Sequence, residues 1–363
     1  MFVRLVVRMV IFVCILFSTN LTIAQSISIS GSVLERETEE PLIGVNVYLA
    51  GTSIGASTNA NGEFEFETNL KGRFDLVVSF LGFETEMREI ILDGKEDFSF
   101  RFELVENSLQ MDELKVSAER DKEWQEQFKN FRRFFLGWDS YSDQTIIVNP
   151  EYIDFEEYGR SELMVFFKQP IVLNNNELGY KIVIENQRII FNPYDHTGFW
   201  SVKPRFEEME PRNYREKRKW DQNRERAFEG SSKHFLKSVI EDEVKRENFA
   251  VMPKSDILEK VDNEELIKRV FPRKWKVIVD NYHVFRLVRY EFGVLHKPVY
   301  TRGDRLSPDQ VFTNFQINNQ ASLIVVDDYG NIFNPEDVIF YGPWSNDRFA
   351  KTLPIDYITE SLQ

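Results

Sequence analysis

The sequence predicts a mainly β, α+β chain: an N-terminal two-sheet β-sandwich followed by a larger α+β domain built on antiparallel strands. Three observations carry this. From Ser30 to Leu104, apolar and polar residues alternate in short runs broken by Gly and Asn turns. From Trp124 a helical stripe of aromatics takes over. After Gln144, short apolar runs separated by Asn, Gly and Pro return.

Residues 1–24 read as a secretory signal. Arg4 and Arg8 form the positive start, Met9 to Phe17 the apolar stretch, and Thr22-Ile-Ala24 a small-x-small cleavage site. A retained N-terminal anchor is the rival reading, disfavoured because Ser18, Thr19 and Asn20 end the apolar run. Cys14 is the single cysteine, so a mature chain has no disulfide to hold it and depends on its core. The expected location is the periplasm, the outer membrane or the secreted space.

The sandwich spans 25–105. A strand turns successive side chains to opposite faces, so Val45, Val47 and Leu49 face one way and Asn46, Tyr48 and Ala50 the other. Phe64/Phe66, Leu76/Val78/Phe80 and Phe98/Phe100/Phe102/Leu104 repeat the pattern. It is that of half-buried antiparallel sheets, each needing a cover for its apolar face. Residues 106–123 are polar and charged, a linker in which Met111 to Ser117 forms a short strand.

Residues 124–363 form the expected α+β domain. Trp124, Phe128, Phe131 and Phe135 fall on one helix face that Gly137 terminates. Strands are expected at Thr145 to Val148, Leu163 to Phe167, Tyr180 to Ile184 and Arg188 to Phe191, helical periodicity from Pro211 to Lys245, and another helix over Asp256 to Arg269. Later strands are Trp275 to Val279, Tyr282 to Tyr290, Ala321 to Val326 and Val338 to Tyr341, with Asp327 to Asn331 as a hairpin turn.

Two resemblances follow from these residues. Gly31-x-Val, Pro41-Leu-x-Gly-Val-x-Val, Gly51-Thr, Asn59-x-Asn-Gly-Glu-Phe and Val78-Ser-Phe-Leu-Gly-Phe resemble the carboxypeptidase-regulatory-like domain, which implies a transthyretin-like Greek-key sandwich. The turn that often reads Thr-Asp-x-Asp-Gly in that family is Thr58-Asn-Ala-Asn-Gly62 here, which weakens a cation site in it. Phe131 to Gly137, Ile147 to Pro150, Asn176-Glu-Leu-Gly-Tyr-Lys-Ile, Arg226 to Leu236, Gly342-Pro-Trp-Ser-x-x-Arg348 and Leu353-Pro-x-Asp-Tyr resemble the region after the sandwich in secreted bacterial proteins described as carboxypeptidase-like regulatory domain-containing. That resemblance implies no activity and no site residues.

Net charge is −14, more negative once Arg4 and Arg8 are removed, which argues against nucleic acid as a partner. The sandwich is strongly acidic, whereas 212–226 holds seven basic residues against three acidic ones. Two readings stand for that segment: docking onto the acidic sandwich, or a solvated helix face balanced by Glu216, Asp221 and Glu225.

Catalytic signals are missing. His196, His234, His283 and His296 lie in no zinc-ligand spacing, although His283 and His296 could meet across a hairpin. No serine nucleophile is expected, and there is no phosphate loop. No catalytic residue, metal or cofactor is therefore expected. Trp200, Trp220 and Trp344, near loops or helix ends, form a sugar platform or belong to the core. The function read from the sequence is a structural or interaction module of the cell envelope, with an envelope protein or polysaccharide as partner and no membrane span after signal cleavage. The alternative is an envelope enzyme or binding protein acting on polysaccharide through residues 124–363.

Arg226, His234 and Glu241 are the candidate contact surface. If Ser231 or Ser232 caps a helix, Phe235, Leu236, Val239 and Ile240 make its apolar face, and at about 100° per residue His234 falls opposite that face. His234 is thus expected at the surface, as an ordinary exposed histidine or as part of a ligand-contacting face.

Overall fold

The computed structural model describes residues 26–94, 96–107, 122–253, 276–279, 282–286, 291–298, 312–317, 323–333 and 335–357. The signal segment, most of the linker with its expected strand, and the helix expected at 256–269 lie outside the described residues.

The alternating N-terminal segments become two facing sheets. One has the order β4-β1-β7, with β1 (Ile27–Glu35), β4 (Glu63–Thr68) and β7 (Phe98–Leu104). The other has the order β3-β2-β5-β6, with β2 (Asn46–Leu49), β3 (Gly55–Ser57), β5 (Gly72–Ser79) and β6 (Glu86–Leu92). The core between them holds Ile29, Val33, Val45, Val47, Leu49, Leu76, Val78 and Phe102. Fully burying each such side chain is worth about 1.5–3 kcal/mol. The expected pattern was wholly antiparallel, but β1 and β7 pair in parallel, Ile29 opposite Phe98 through Glu35 opposite Leu104. The first and last strands of the sandwich lie side by side with the second sheet crossed in between.

Beyond the linker, α1 (Lys122–Leu136) carries the aromatic stripe, which buries Phe131 and Phe135 and also Phe134. It packs on a six-stranded sheet of β8 (Thr145–Ile147), β9 (Ile153–Tyr158), β10 (Glu162–Phe167), β11 (Ile171–Asn175), β12 (Tyr180–Phe191) and β13 (Gly198–Glu208). The two strands expected at 180–184 and 188–191 are one strand with a register shift between Ile184 and Gln187. Aromatic rings fill this core: Phe134 stacks on Phe191 at 5.2 Å and Phe135 on Phe349 at 4.5 Å. A short helical turn α2 (Ser140–Asp143) follows α1.

The rest builds a separate hydrophobic cluster. Helices α3 (Tyr214–Phe228) and α4 (Ser232–Glu241) lead into sheets of order β14-β17-β18-β20 and β15-β16-β19. These strands are β14 (Phe249–Pro253), β15 (Lys276–Val279), β16 (Tyr282–Arg286), β17 (Glu291–His296), β18 (Thr313–Ile317), β19 (Leu323–Val326) and β20 (Val338–Tyr341). Phe235, Phe249, Phe292, Phe315 and Trp344 form its centre. The apolar side chains of the region expected as one α+β domain therefore gather around two centres.

The outer face of the sandwich is covered as well. Tyr48 and Val77 are each 1% exposed, and Arg205 of β13 sits 5.6 Å over the Tyr48 ring. Gly51 donates its N–H to Pro204 O at 2.7 Å, and Phe206 donates to Thr52 O at 3.0 Å. Two later segments clasp the sandwich: Ile355 N–H donates to Gly51 O at 2.8 Å, and the Tyr329 hydroxyl accepts from Lys71 N and donates to Lys71 O. The basic segment takes no part in these bonds. Lys217 pairs with Asp221 (3.0 Å), Lys219 with Glu177 (2.7 Å) and Arg224 with Glu208 (2.8 Å), all outside the sandwich. Backbone pairing and apolar cover thus hold the sandwich in place of the charge docking considered for 212–226, whose Lys217, Lys219 and Arg224 pair outside it. No helix among the described residues is long and apolar enough to cross a membrane.

Candidate functional site

The best-defined cleft is built on a turn. At the end of β11, the Asn175 side chain, wholly buried, accepts the N–H groups of Glu177 and Leu178 and donates to Ala350 O at 2.7 Å. Gly179 ends the turn at φ +71°, and a Cβ there would stand 2.3 Å from the Trp220 ring. Only glycine meets both demands without strain.

Helix α3 lies over this turn because its side chains satisfy the turn's carbonyls. Asn213 caps the helix by accepting Glu216 N–H. Trp220 Nε1 donates to Asn176 O (3.0 Å), Asn223 to Glu177 O (3.0 Å) and Arg224 Nε to Leu178 O (2.8 Å). The Arg224 guanidinium also sits 4.0 Å above the Tyr180 ring, and burial pushes the Tyr180 phenol above its ordinary pKa.

Held in this way, α3 turns Tyr214, Lys217, Arg218, Asp221, Gln222 and Glu225 toward a cleft of about 710 Å³. Tyr180 and Glu208 also line it, and Pro354, Asp356, Tyr357 and Ser53 form the far wall. Asp356 joins that wall together by accepting Ser53 N–H at 2.9 Å and the Ser53 hydroxyl. Tyr214 is 79% exposed. Lys217, Arg224 and Asp356 have partners, while Arg218, Gln222 and Glu225 have no side-chain hydrogen bond or ion pair among the described residues.

The three residues proposed from sequence do not form one surface. Arg226, on the last turn of α3, lines a different, smaller cavity. Glu241, at the end of α4, lies 3.9 Å from Lys237. His234 corrects the expectation most sharply, since it is 8% exposed. Ser231 does cap α4 by accepting His234 N–H (3.2 Å), so the helix begins where expected. The error lies in counting one covered face. Phe228, Phe249 and His296 close over the opposite side of the first turn, with ring centroids 4.8, 4.9 and 5.7 Å from that of His234.

The His234 hydrogen bonds assign its tautomer. Gly230 N–H donates to Nδ1 at 3.0 Å, so Nδ1 is the acceptor and Nε2 carries the proton, which it donates to Glu247 at 3.1 Å. Burial pushes the imidazole below its ordinary pKa, although Glu247 pulls the other way.

Other sequence candidates also resolve. His283 Nε2 donates to Asp328 at 2.5 Å, while His296 packs on Phe249 and His234, so the two histidines have different partners. Trp220 and Trp344 are each 6% exposed, and each anchors its indole N–H on a backbone carbonyl, those of Asn176 and Gly230. Trp200 packs edge-on against Phe134 and Phe135. Trp220 and Trp344 are thus core residues, and Trp200 packs partly buried against the core. Among the described residues, no group of three or more His, Cys, Asp or Glu is placed to hold a metal ion.

Sequence reasoning missed the cleft itself. Two of the resemblance motifs, Asn176 to Ile182 and Leu353 to Tyr357, end up on opposite walls of it, and their co-occurrence was the available signal.

The two-sheet N-terminal unit is the part of the chain that a family model matches. Residues 29–116 match the CarboxypepD_reg-like domain, so the sandwich is a module of that kind. No curated protein matches the sequence. Among solved structures, a cohesin–X-dockerin complex from Acetivibrio cellulolyticus is 24% identical over 21% of this chain and 52% of its own, with a TM-score of 0.18. A DUF3823 family protein from Parabacteroides merdae is 11% identical over 50% of this chain and 80% of its own, TM-score 0.18. A 3-chlorocatechol 1,2-dioxygenase from Rhodococcus opacus is 11% identical over 23% and 60%, TM-score 0.19. This chain spans about half the length of the cohesin–X-dockerin chain that it matches.

Proposed function

We propose that the protein is an interaction module of the cell envelope, located in the periplasm, at the outer membrane or outside the cell, and that the cleft beside α3 takes a segment of polysaccharide. One observation carries this reading: exposed Tyr214 and half-buried Tyr357 share a wide cleft with the unengaged polar groups of Arg218, Gln222 and Glu225. Tyrosine rings present apolar faces to sugar C–H groups while their edges stay polar. Planar amide, guanidinium and carboxylate groups supply the donors and acceptors that hydroxyls need.

Binding is favoured over hydrolysis by the state of the cleft carboxylates. Glycoside cleavage uses a pair of carboxyl groups, one of them protonated. Glu208 is tied to Arg224, Asp221 to Lys217 and Asp356 to Ser53, which leaves Glu225 alone. The test is a glycan array followed by titration calorimetry on the mature chain. A saturable glycan whose affinity falls at least tenfold in Tyr214→Ala and in Glu225→Gln supports the proposal. Glycan binding that both variants leave unchanged refutes the site, and release of reducing ends would transfer the protein to the enzyme reading.

A further inference from the structure

The smaller cavity, about 220 Å³, shares no lining residue with the cleft. Its lining includes Tyr141, Arg226, Gly230, Trp344, Asp347 and Lys351. Distant parts of the chain come together to form its walls. Trp344 Nε1 donates to Gly230 O at 2.7 Å, fixing the indole wall against the α3–α4 turn. The Tyr141 hydroxyl donates to Asn223 O at 3.2 Å, fixing the opposite wall to α3. Lys351 bridges two acids, Asp139 at 2.9 Å and Asp347 at 3.5 Å.

The charges in this cavity are unevenly matched. Lys351 is shared, so Asp347 meets it at a long distance and has no other side-chain donor among the described residues. Burial pushes the Asp347 carboxyl up to about 6, with Asp139 adding to the effect against the pull of Lys351. Arg226 makes no ion pair or side-chain hydrogen bond among the described residues. One cavity therefore offers an exposed guanidinium with no protein acceptor among the described residues and a partly exposed carboxylate whose one side-chain partner, Lys351, is shared and distant. A planar guanidinium suits a carboxylate ligand group through paired N–H donors, and a partly buried carboxylate suits an ammonium. The volume is below the range for drug-sized ligands and fits a small molecule.

We infer that this cavity binds a small zwitterion, a free α-amino acid, with its carboxylate on Arg226 and its ammonium on Asp347, beside the Trp344 indole. Opposite charges at the two ends of the ligand engage both groups at once, which an anion or a cation alone does not do.

Titration calorimetry on the full mature chain near pH 7.5 tests this with the twenty amino acids and D-alanine. For the best binder, its N-acetyl derivative and its amide each lack one of the two charges. Saturable one-site binding is expected, weakened at least tenfold by blocking either end. Arg226→Ala should weaken the zwitterion at least tenfold while leaving the amide unchanged. Asp347→Asn should do the same while leaving the N-acetyl derivative unchanged. Unaltered circular dichroism and melting temperature keep both variants interpretable, and the ligand derivatives give an answer on the unmutated protein if either variant fails to fold. No saturable binding by any amino acid at millimolar concentration, or equal binding of the zwitterion and both derivatives, overturns the inference. Cleft variants such as Tyr214→Ala should leave this binding intact.

Discussion

Replacing His234 by alanine removes a ring packed between Phe228 and Phe249 and strands two polar groups, Gly230 N–H and the Glu247 carboxylate. Truncating a large buried side chain costs about 2–5 kcal/mol, and an unmet buried donor about 1–3 kcal/mol. Glu247 is 30% exposed and can turn to water, so its share is small. A loss of about 3 kcal/mol follows. Several hydrophobic centres make a single unfolding transition unsafe to assume, so the assay is amide hydrogen exchange along α4, which reads the local opening free energy. His234→Asn is the control: its side-chain oxygen can replace Nδ1 as acceptor for Gly230 N–H but cannot reach Glu247, so about half the loss should remain. The effect also depends on pH. A histidine whose folded pKa lies below its unfolded value of about 6.5 stabilises the fold fully above that value, and the contribution fades as pH falls below it. The gap between wild type and His234→Ala should thus be widest near pH 8 and narrow on acidification. A loss under ~1 kcal/mol near pH 8, or a gap that widens toward pH 5, would refute the buried neutral tautomer.

Two further substitutions probe the scaffold. Gly179→Ala sets a methyl into the Trp220 ring at a positive φ, so a loss of about 2–4 kcal/mol is expected, read as earlier thermal unfolding, and an unchanged melting curve would show that α3 can lift at no cost. Tyr329→Phe keeps the contact with Phe74 but removes both hydrogen bonds to Lys71, so a loss of about 1–2 kcal/mol and faster limited proteolysis around the sandwich are expected; unchanged cleavage would mean the clasp does not depend on the hydroxyl.

What was legible in the sequence were elements whose neighbours lie on one side. Strand alternation in Phe64/Phe66 and Leu76/Val78, the Phe131/Phe135 stripe and the Ser231 cap each follow from local geometry. Misreadings came where a second layer closes over the far side. Tyr48 points away from the sandwich core and is buried with Arg205 of β13 over its ring, and His234 points away from the apolar face of α4 and is buried by Phe228 and Phe249. Periodicity measures how many apolar faces a segment has, and polar side chains buried through hydrogen bonds leave no trace in it. The cleft was hidden for a different reason. Ser53, Tyr180, Tyr214 and Asp356 come from four distant segments, and nothing local in any of them states that they meet.

Asp356 and Ser53 are separated by 303 positions, yet they hydrogen-bond, and Ile355 presses on Gly51 beside them. A contact that spans nearly the whole chain is slow to form, because the intervening loop must be ordered first. The sandwich has its own core and can fold as soon as it emerges, whereas its fastening waits for a residue 303 positions further on. One wall of the cleft belongs to that fastening. That wall therefore forms only once the segment around Asp356 has met Ser53, so the shape of the cleft reports on whether two segments 303 positions apart have found each other.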